Sequence, residues 1–131
     1  MEVKLGLPLQ GLSPNTRNNW RYEAQAKKDY RNEAAKEMIG VLNRISPRPS
    51  IPLAGAKVSY VFHQKRAPKY GDGRVCFRDK DNAIAAMKSA QDALADAGIV
   101  KNDSQVTLGD VVLLTAKESE GRFVIMTIEE L

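Results

Sequence analysis

Apolar positions recur along the chain with two periods, and the switches between them mark the expected elements. Residues 3–7 read as a short strand, ended by Pro8 and by turn chemistry over 11–15. Residues 17–42 favour helix. Tyr30, Ala34 and Met38 are spaced four apart, with Ala35, Ile39 and Leu42 alongside, opposite Lys27, Lys28, Arg31 and Lys36. One face should therefore pack, and the other should meet water or an anion. Pro47, Pro49 and Pro52 cannot continue a helix, because proline lacks the amide donor, so 43–52 is a connector. Residues 57–63 alternate as a strand, with Val58, Tyr60 and Phe62 on one side and Ser59 and His63 on the other. Residues 64–73 are polar, basic and turn-rich, as in an exposed loop or hairpin tip, and 74–77 resume extended structure. An alanine-rich helix follows over about 82–97, with Asp81 at its N-cap position and Gly98 at its C-cap. After a loop at 100–104, two extended segments, 111–116 and 122–128, flank a polar turn at 117–121. Both are apolar enough to be covered on two faces, by the chain's own helices or by a partner subunit. The order β-α-β-β-α-β-β, with two main helices and no internal repeat, predicts an α+β domain spanning 1–131.

Composition narrows the class without choosing a function. A chain of 131 residues, 43% hydrophobic and 27% charged, suits one globular domain able to build a core without metal or disulfide. The single cysteine, Cys76, has no intrachain partner and no thiolate cage to join, which favours a reducing compartment. The first nine residues lack a secretory h-region, and no stretch approaches the roughly 20 apolar residues of a membrane helix. The expectation is a soluble cytoplasmic protein. Net charge is +4 and the isoelectric point near 9.3, a modest basic excess that suits a polyanionic partner. The basic residues cluster as Lys27, Lys28 and Arg31, and again as Lys65, Arg66 and Lys69 beside His63 and Tyr70. Each of these is a candidate for phosphate contact and equally a candidate for a solvated surface charge.

Chemistry concentrates in Asp79-Lys80-Asp81-Asn82, at the end of an expected strand and the start of a helix. Residues i and i+2 of an extended segment project to the same side, about 6.5 to 7 Å apart, so Asp79 and Asp81 can aim two carboxylates at one point. Magnesium is commonly held by one or two carboxylates, with waters and substrate phosphate oxygens completing the shell. A helix N-terminus beyond them favours a nearby phosphate. Against this stands simple helix capping by an aspartate. Lys88 and Asp92 follow Asp81 by seven and eleven positions, within roughly 20° of whole helical turns, so all three share a face. A lysine there can stabilise charge on a phosphate, or merely form a solvated pair with Asp92. Asp103, in Asn102-Asp103-Ser104-Gln105-Val106, can close the site from a neighbouring element or serve as an ordinary turn residue.

Four short blocks occur in order: Arg78-Asp79-Lys80-Asp81-Asn82, Lys88-Ser89-Ala90-Gln91-Asp92-Ala93-Leu94, Ala97-Gly98-Ile99 and Asn102-Asp103-Ser104-Gln105-Val106. Together they resemble the signature of the RusA family of Holliday-junction resolvases. Leu12-Ser13-Pro14-Asn15 with Trp20 and Arg21, followed by a basic helix, is similar to the opening of its bacterial and phage members. The resemblance implies a mixed sheet carrying the helices, and a homodimeric Mg²⁺-dependent endonuclease that cuts four-way DNA junctions symmetrically. It implies no small-molecule cofactor. Asp79, Asp81 and Asp103 match the family's essential, metal-holding aspartates, and Lys88 matches its catalytic lysine when aligned from Asp92-Ala93-Leu94. Aligned from Asn82 instead, about three extra residues intervene and Ala85 takes the lysine position. Asn102 replaces the first acid of the family's frequent Asp-Asp pair. Lys27, Lys28, Arg31, Lys65, Arg66 and Lys69 are then the expected DNA contacts, reading shape and backbone rather than base sequence. The competing readings are a branched-DNA-binding protein without cleavage and a nuclease acting on flaps or other branches.

Overall fold

The computed structural model describes residues 1–12, 20–66, 71–114 and 121–131. Strand β1 (Glu2–Leu5) leads to a short 3₁₀ turn (Gln10–Leu12) and the long helix α1 (Trp20–Arg44). Then come β2 (Ala56–Gln64), helices α2 (Lys80–Ala86) and α3 (Lys88–Asp96), a second 3₁₀ turn (Asp103–Gln105), β3 (Val106–Leu114) and β4 (Arg122–Glu130). Four strands form one mixed sheet in the order β1-β4-β2-β3: β4 runs antiparallel to both β1 and β2, and β3 runs parallel to β2. This is the α+β architecture that the periodicity predicts.

Strict alternation places β2 in the core. Ala56, Val58, Tyr60 and Phe62 are fully buried while the residues between them are half-buried. Val124, Met126 and Ile128 of β4 continue that inner face, and Val3 and Leu5 of β1 extend it. Helix α1 buries Ala26, Tyr30, Ala34, Met38 and Leu42, the i, i+4 stripe expected of it. Ile39, assigned by the sequence to the same stripe, is 45% exposed, because it lies about 100° around the helix from Met38 and faces a groove instead. Tyr30 joins three elements: its hydroxyl donates to the Gly6 carbonyl at 2.7 Å and lies 3.7 Å from the Met87 sulfur. Burial pushes the Tyr30 phenol far above the usual tyrosine range, with the Glu33 charge adding to it, so it stays a donor.

Three local expectations change. Residues 74–77 are extended but do not enter the sheet, since their backbone is already committed: Val75 donates to Pro8 O at 2.9 Å, Arg74 bridges Leu9, and Phe77 pairs with the side chain of Gln64. The buried Gln64 carboxamide acts there as a strand neighbour, accepting from Phe77 N at 2.6 Å and donating to Phe77 O at 3.0 Å. The helix expected over 82–97 is interrupted at Met87, with α3 running on to Asp96; Gly98 then takes the positive φ (76°) of a C-terminal turn. Finally, β3 is an edge strand, and Leu108 and Val112 are exposed rather than covered on both faces. Much of the turn expected between the last two strands, the loop residue Lys69, and residues 13–15 of the opening motif lie outside the described residues. No helix among the described residues is long and apolar enough to cross a membrane.

Candidate functional site

The N-terminus of α2 is capped by Asp79, not Asp81. Asp79 keeps an extended backbone (φ −121°, ψ 125°), and its Oδ1 accepts the Asp81 amide at 2.7 Å. Asp81 therefore sits in the first turn, and both carboxylates are exposed. One oxygen of Asp79 serves the cap. Gln64 fixes the approach to this pair by holding Phe77, two residues upstream, through two buried hydrogen bonds.

Lys88 opens α3, immediately after the break at Met87, and its ammonium lies between two carboxylates. Nζ is 3.1 Å from Asp92 Oδ1 and 3.2 Å from Asp103 Oδ2. The Asp92 carboxylate first, and then Asp103, which accepts a hydrogen bond from Lys88 Nζ, raise the Lys88 pKa above the usual lysine range, and Lys88 holds Asp103 below the usual carboxylate range. The lysine is cationic at neutral pH and suited to stabilising negative charge, not to accepting a proton. The two sequence alignments that place the lysine at Lys88 or at Ala85 differ by three residues. In the structure it is the Lys88 position that meets the acids, while Ala85 lines the adjoining groove.

Asp103 is presented by a well-built turn. Asn102 Oδ1 accepts from the Ser104 amide at 3.1 Å and from the Ser104 hydroxyl, while Gln105 Oε1 accepts from the amides of Lys101 and Asn102. Gln105 Nε2 in turn donates to Ala54 O at 3.1 Å, tying the turn to the segment entering β2. Asn102 is thus a capping residue here. Asp103 itself is 54% exposed.

Asp79, Asp81 and Asp103 do not assemble. Among the described residues, no three His, Cys, Asp or Glu side chains converge closely enough to hold a metal ion. Asp79 and Asp81 stand at the start of α2, whereas Asp103 meets Lys88, beside Asp92, at the following helix. By donor chemistry Asp79 and Asp81 suit a hard cation such as Mg²⁺; Asp103, engaged by Lys88, is not positioned as their third partner.

A groove of about 1120 Å³ runs between α1 and the α2–α3 pair. Lys27, Lys28, Arg31 and Lys36 line one side, Lys88 with Asp92 and Asp96 the other, and Ala35 and Ile39 contribute apolar floor. Arg31 is not free within it. Its guanidinium forks onto Asp96, with Nη2 at 2.8 Å from Oδ1, and this contact holds Asp96 below the usual carboxylate range. A smaller cavity of about 290 Å³ shares Arg31 and Asp92 with the groove and ends at Asn102 and Asp103.

The structure therefore brings Lys27, Lys28, Arg31, Lys88 and Asp103 to one surface. Lys65 and Arg66, both exposed, follow the far end of β2, whose start pairs with Val106 beside the Asp103 turn. Eight residue steps at about 3.3 Å place them on the order of 26 Å from that turn. They lie toward the end where Gln64 holds Phe77, and so toward Asp79. Neither a family model nor a curated protein matches the chain. The Arg31–Asp96 fork was not read from the sequence, although Asp96 falls on the Lys88–Asp92 face at i+4 from Asp92. Asp92 itself was noted on that face, but its joint hold on Lys88 with Asp103 needed the fold.

Proposed function

We propose that the chain is a Mg²⁺-dependent endodeoxyribonuclease that hydrolyses phosphodiesters in branched DNA, four-way junctions above all. The observation that carries this reading is the cationic Lys88 held between Asp92 and Asp103 on the wall of a groove lined by Lys27, Lys28 and Arg31. Such a groove suits a phosphate backbone, with the lysines as point charges. Lys88, kept protonated by its two acids, would offer its charge to the phosphate under attack. Asp79 and Asp81 are the residues that would hold the metal, with waters and a substrate phosphate oxygen completing its shell. When bound, Mg²⁺ supplies Lewis acidity toward a phosphate oxygen and a more acidic water. The family resemblance adds a homodimer, which would pair two such sites across a symmetric junction; the lone cysteine and the absence of a secretory h-region in the first nine residues support a cytoplasmic location.

A second reading, a branched-DNA-binding protein without cleavage, is favoured by the failure of the three aspartates to converge. Incubating the purified protein with labelled four-way junction and linear duplex, in Mg²⁺ or EDTA, separates the two. Paired metal-dependent nicks near the branch point, absent in Asp81→Asn, support the nuclease. Junction binding without nicks under Mg²⁺ or Mn²⁺ refutes it in favour of the binding protein.

A further inference from the structure

We infer that Trp20 is a stacking platform for an unpaired nucleobase at the open end of the basic groove. The inference rests on the nucleic-acid reading above and names the feature of the substrate that the groove would select. Trp20 is the chain's single tryptophan and, at 72% exposed, the most exposed large apolar side chain among the described residues. An indole left in water forgoes a large burial gain, so its position asks for an occupant.

That position is specified by the helix. Lys27 and Arg31 follow Trp20 by seven and eleven residues, within roughly 20° of whole turns, so indole, ammonium and guanidinium share one face of α1. Trp20 stands about 10 Å before Lys27 along the axis. The opposite side of the same turn is pinned: a Cβ on Gly11 would come within 2.7 Å of Ala26 Cβ and 3.0 Å of the Tyr22 ring, so only glycine lets the 3₁₀ turn pack so closely there. Arg21 flanks the indole, its guanidinium carbon 5.3 Å from the ring centroid. An aromatic face beside Arg21, on the Lys27 and Arg31 side of α1, complements a polyanion that also carries flat apolar rings, which describes nucleic acid better than an apolar protein surface. Bases inside a continuous duplex have both faces covered. Branch points and single strands expose one.

The test reads Trp20 fluorescence and the anisotropy of dye-labelled DNA in the same titrations, with four-way junction, single-stranded oligothymidylate and blunt duplex. Quenching by the junction and the single strand, with little by duplex interior, is the expected result, as is a roughly 5- to 100-fold weaker affinity for both in Trp20→Ala with near-normal binding in Trp20→Phe. Circular dichroism confirms that the variants fold. DNA bound with Trp20 emission unchanged and Trp20→Ala unaffected overturns the inference while leaving the nuclease reading intact. No anisotropy change with any DNA removes both. A blue shift that grows with protein concentration in the absence of DNA assigns Trp20 to a contact between copies and also overturns the inference.

Discussion

The groove makes a quantitative prediction about salt, because its cations are not equivalent. Among the described residues Lys27 and Lys28 have no ion-pair partner, whereas Arg31 is forked onto Asp96. A lysine that neutralises a phosphate releases counterions and contributes about 0.9 to the slope of log affinity against log salt. Removing one such contact at about 0.1 M salt should therefore weaken DNA binding by a factor of about eight. Lys27→Ala and Lys28→Ala should each show that loss and a slope shallower by about 0.9, and the double variant about sixtyfold and 1.8. Arg31→Ala should change the slope less, since its charge is already answered. Asp96→Asn should do the reverse of what loss of an ion pair suggests: it frees Arg31, tightens binding several-fold and steepens the slope by up to about 0.9. Fluorescence anisotropy across a salt series measures all five variants, each loss and slope counted per groove engaged on the junction. An unchanged slope in Lys27→Ala and Lys28→Ala, or weaker binding in Asp96→Asn, would show that DNA does not run along this groove.

Three further outcomes follow from the local geometry. Asp79→Asn keeps an acceptor at the α2 cap and should leave thermal stability unchanged while abolishing metal-dependent cleavage; Asp79→Ala should also cost about 1 kcal/mol in urea denaturation, and equal stability of the two would remove the capping role. Gln64→Leu leaves the Phe77 amide and carbonyl buried without their partner, so unfolding should require about 1–3 kcal/mol less for each orphaned group, and a midpoint within error of the parent would contradict the clamp. Arg122 holds the Asp72 carboxyl below its ordinary value of 3.8, a shift that stabilises the folded state above that value and fades as pH falls through the lower folded pKa. Urea midpoints recorded from about pH 6 to 2 should fall less steeply in Asp72→Asn than in the parent, and parallel curves would show that this pair adds nothing.

The regular elements were legible because burial writes itself into sequence period. The alternation in β2 and the four-residue spacing in α1 both survive intact. One departure lies where a side chain substitutes for backbone pairing. Gln64 occupies the place of a strand beside 74–77, and no periodicity reveals a carboxamide acting as a ladder. At Asp79 the motif was visible but its division of labour was not, since an extended residue and a capping residue look alike before the helix start is known. The meeting of Lys88 with Asp103 depends on where β3 enters the sheet, a non-local fact set by its parallel pairing with β2. The same long-range placement separates Asp103 from Asp79 and Asp81, although all three lie within 25 positions in the chain.

The pairing of β1 has a consequence for how the molecule is made. Among the described residues its partner in the sheet is β4, with Glu2 opposite Thr127 and Leu5 opposite Val124. During synthesis on a ribosome, Val3 and Leu5 lack a strand partner until β4 has emerged, with α1 the earlier long element that can pack on them. Contacts so distant in sequence slow folding and lengthen exposure to aggregation. Nascent chains halted before β4 should therefore bind chaperones through their first residues, and release them only when the last strand arrives.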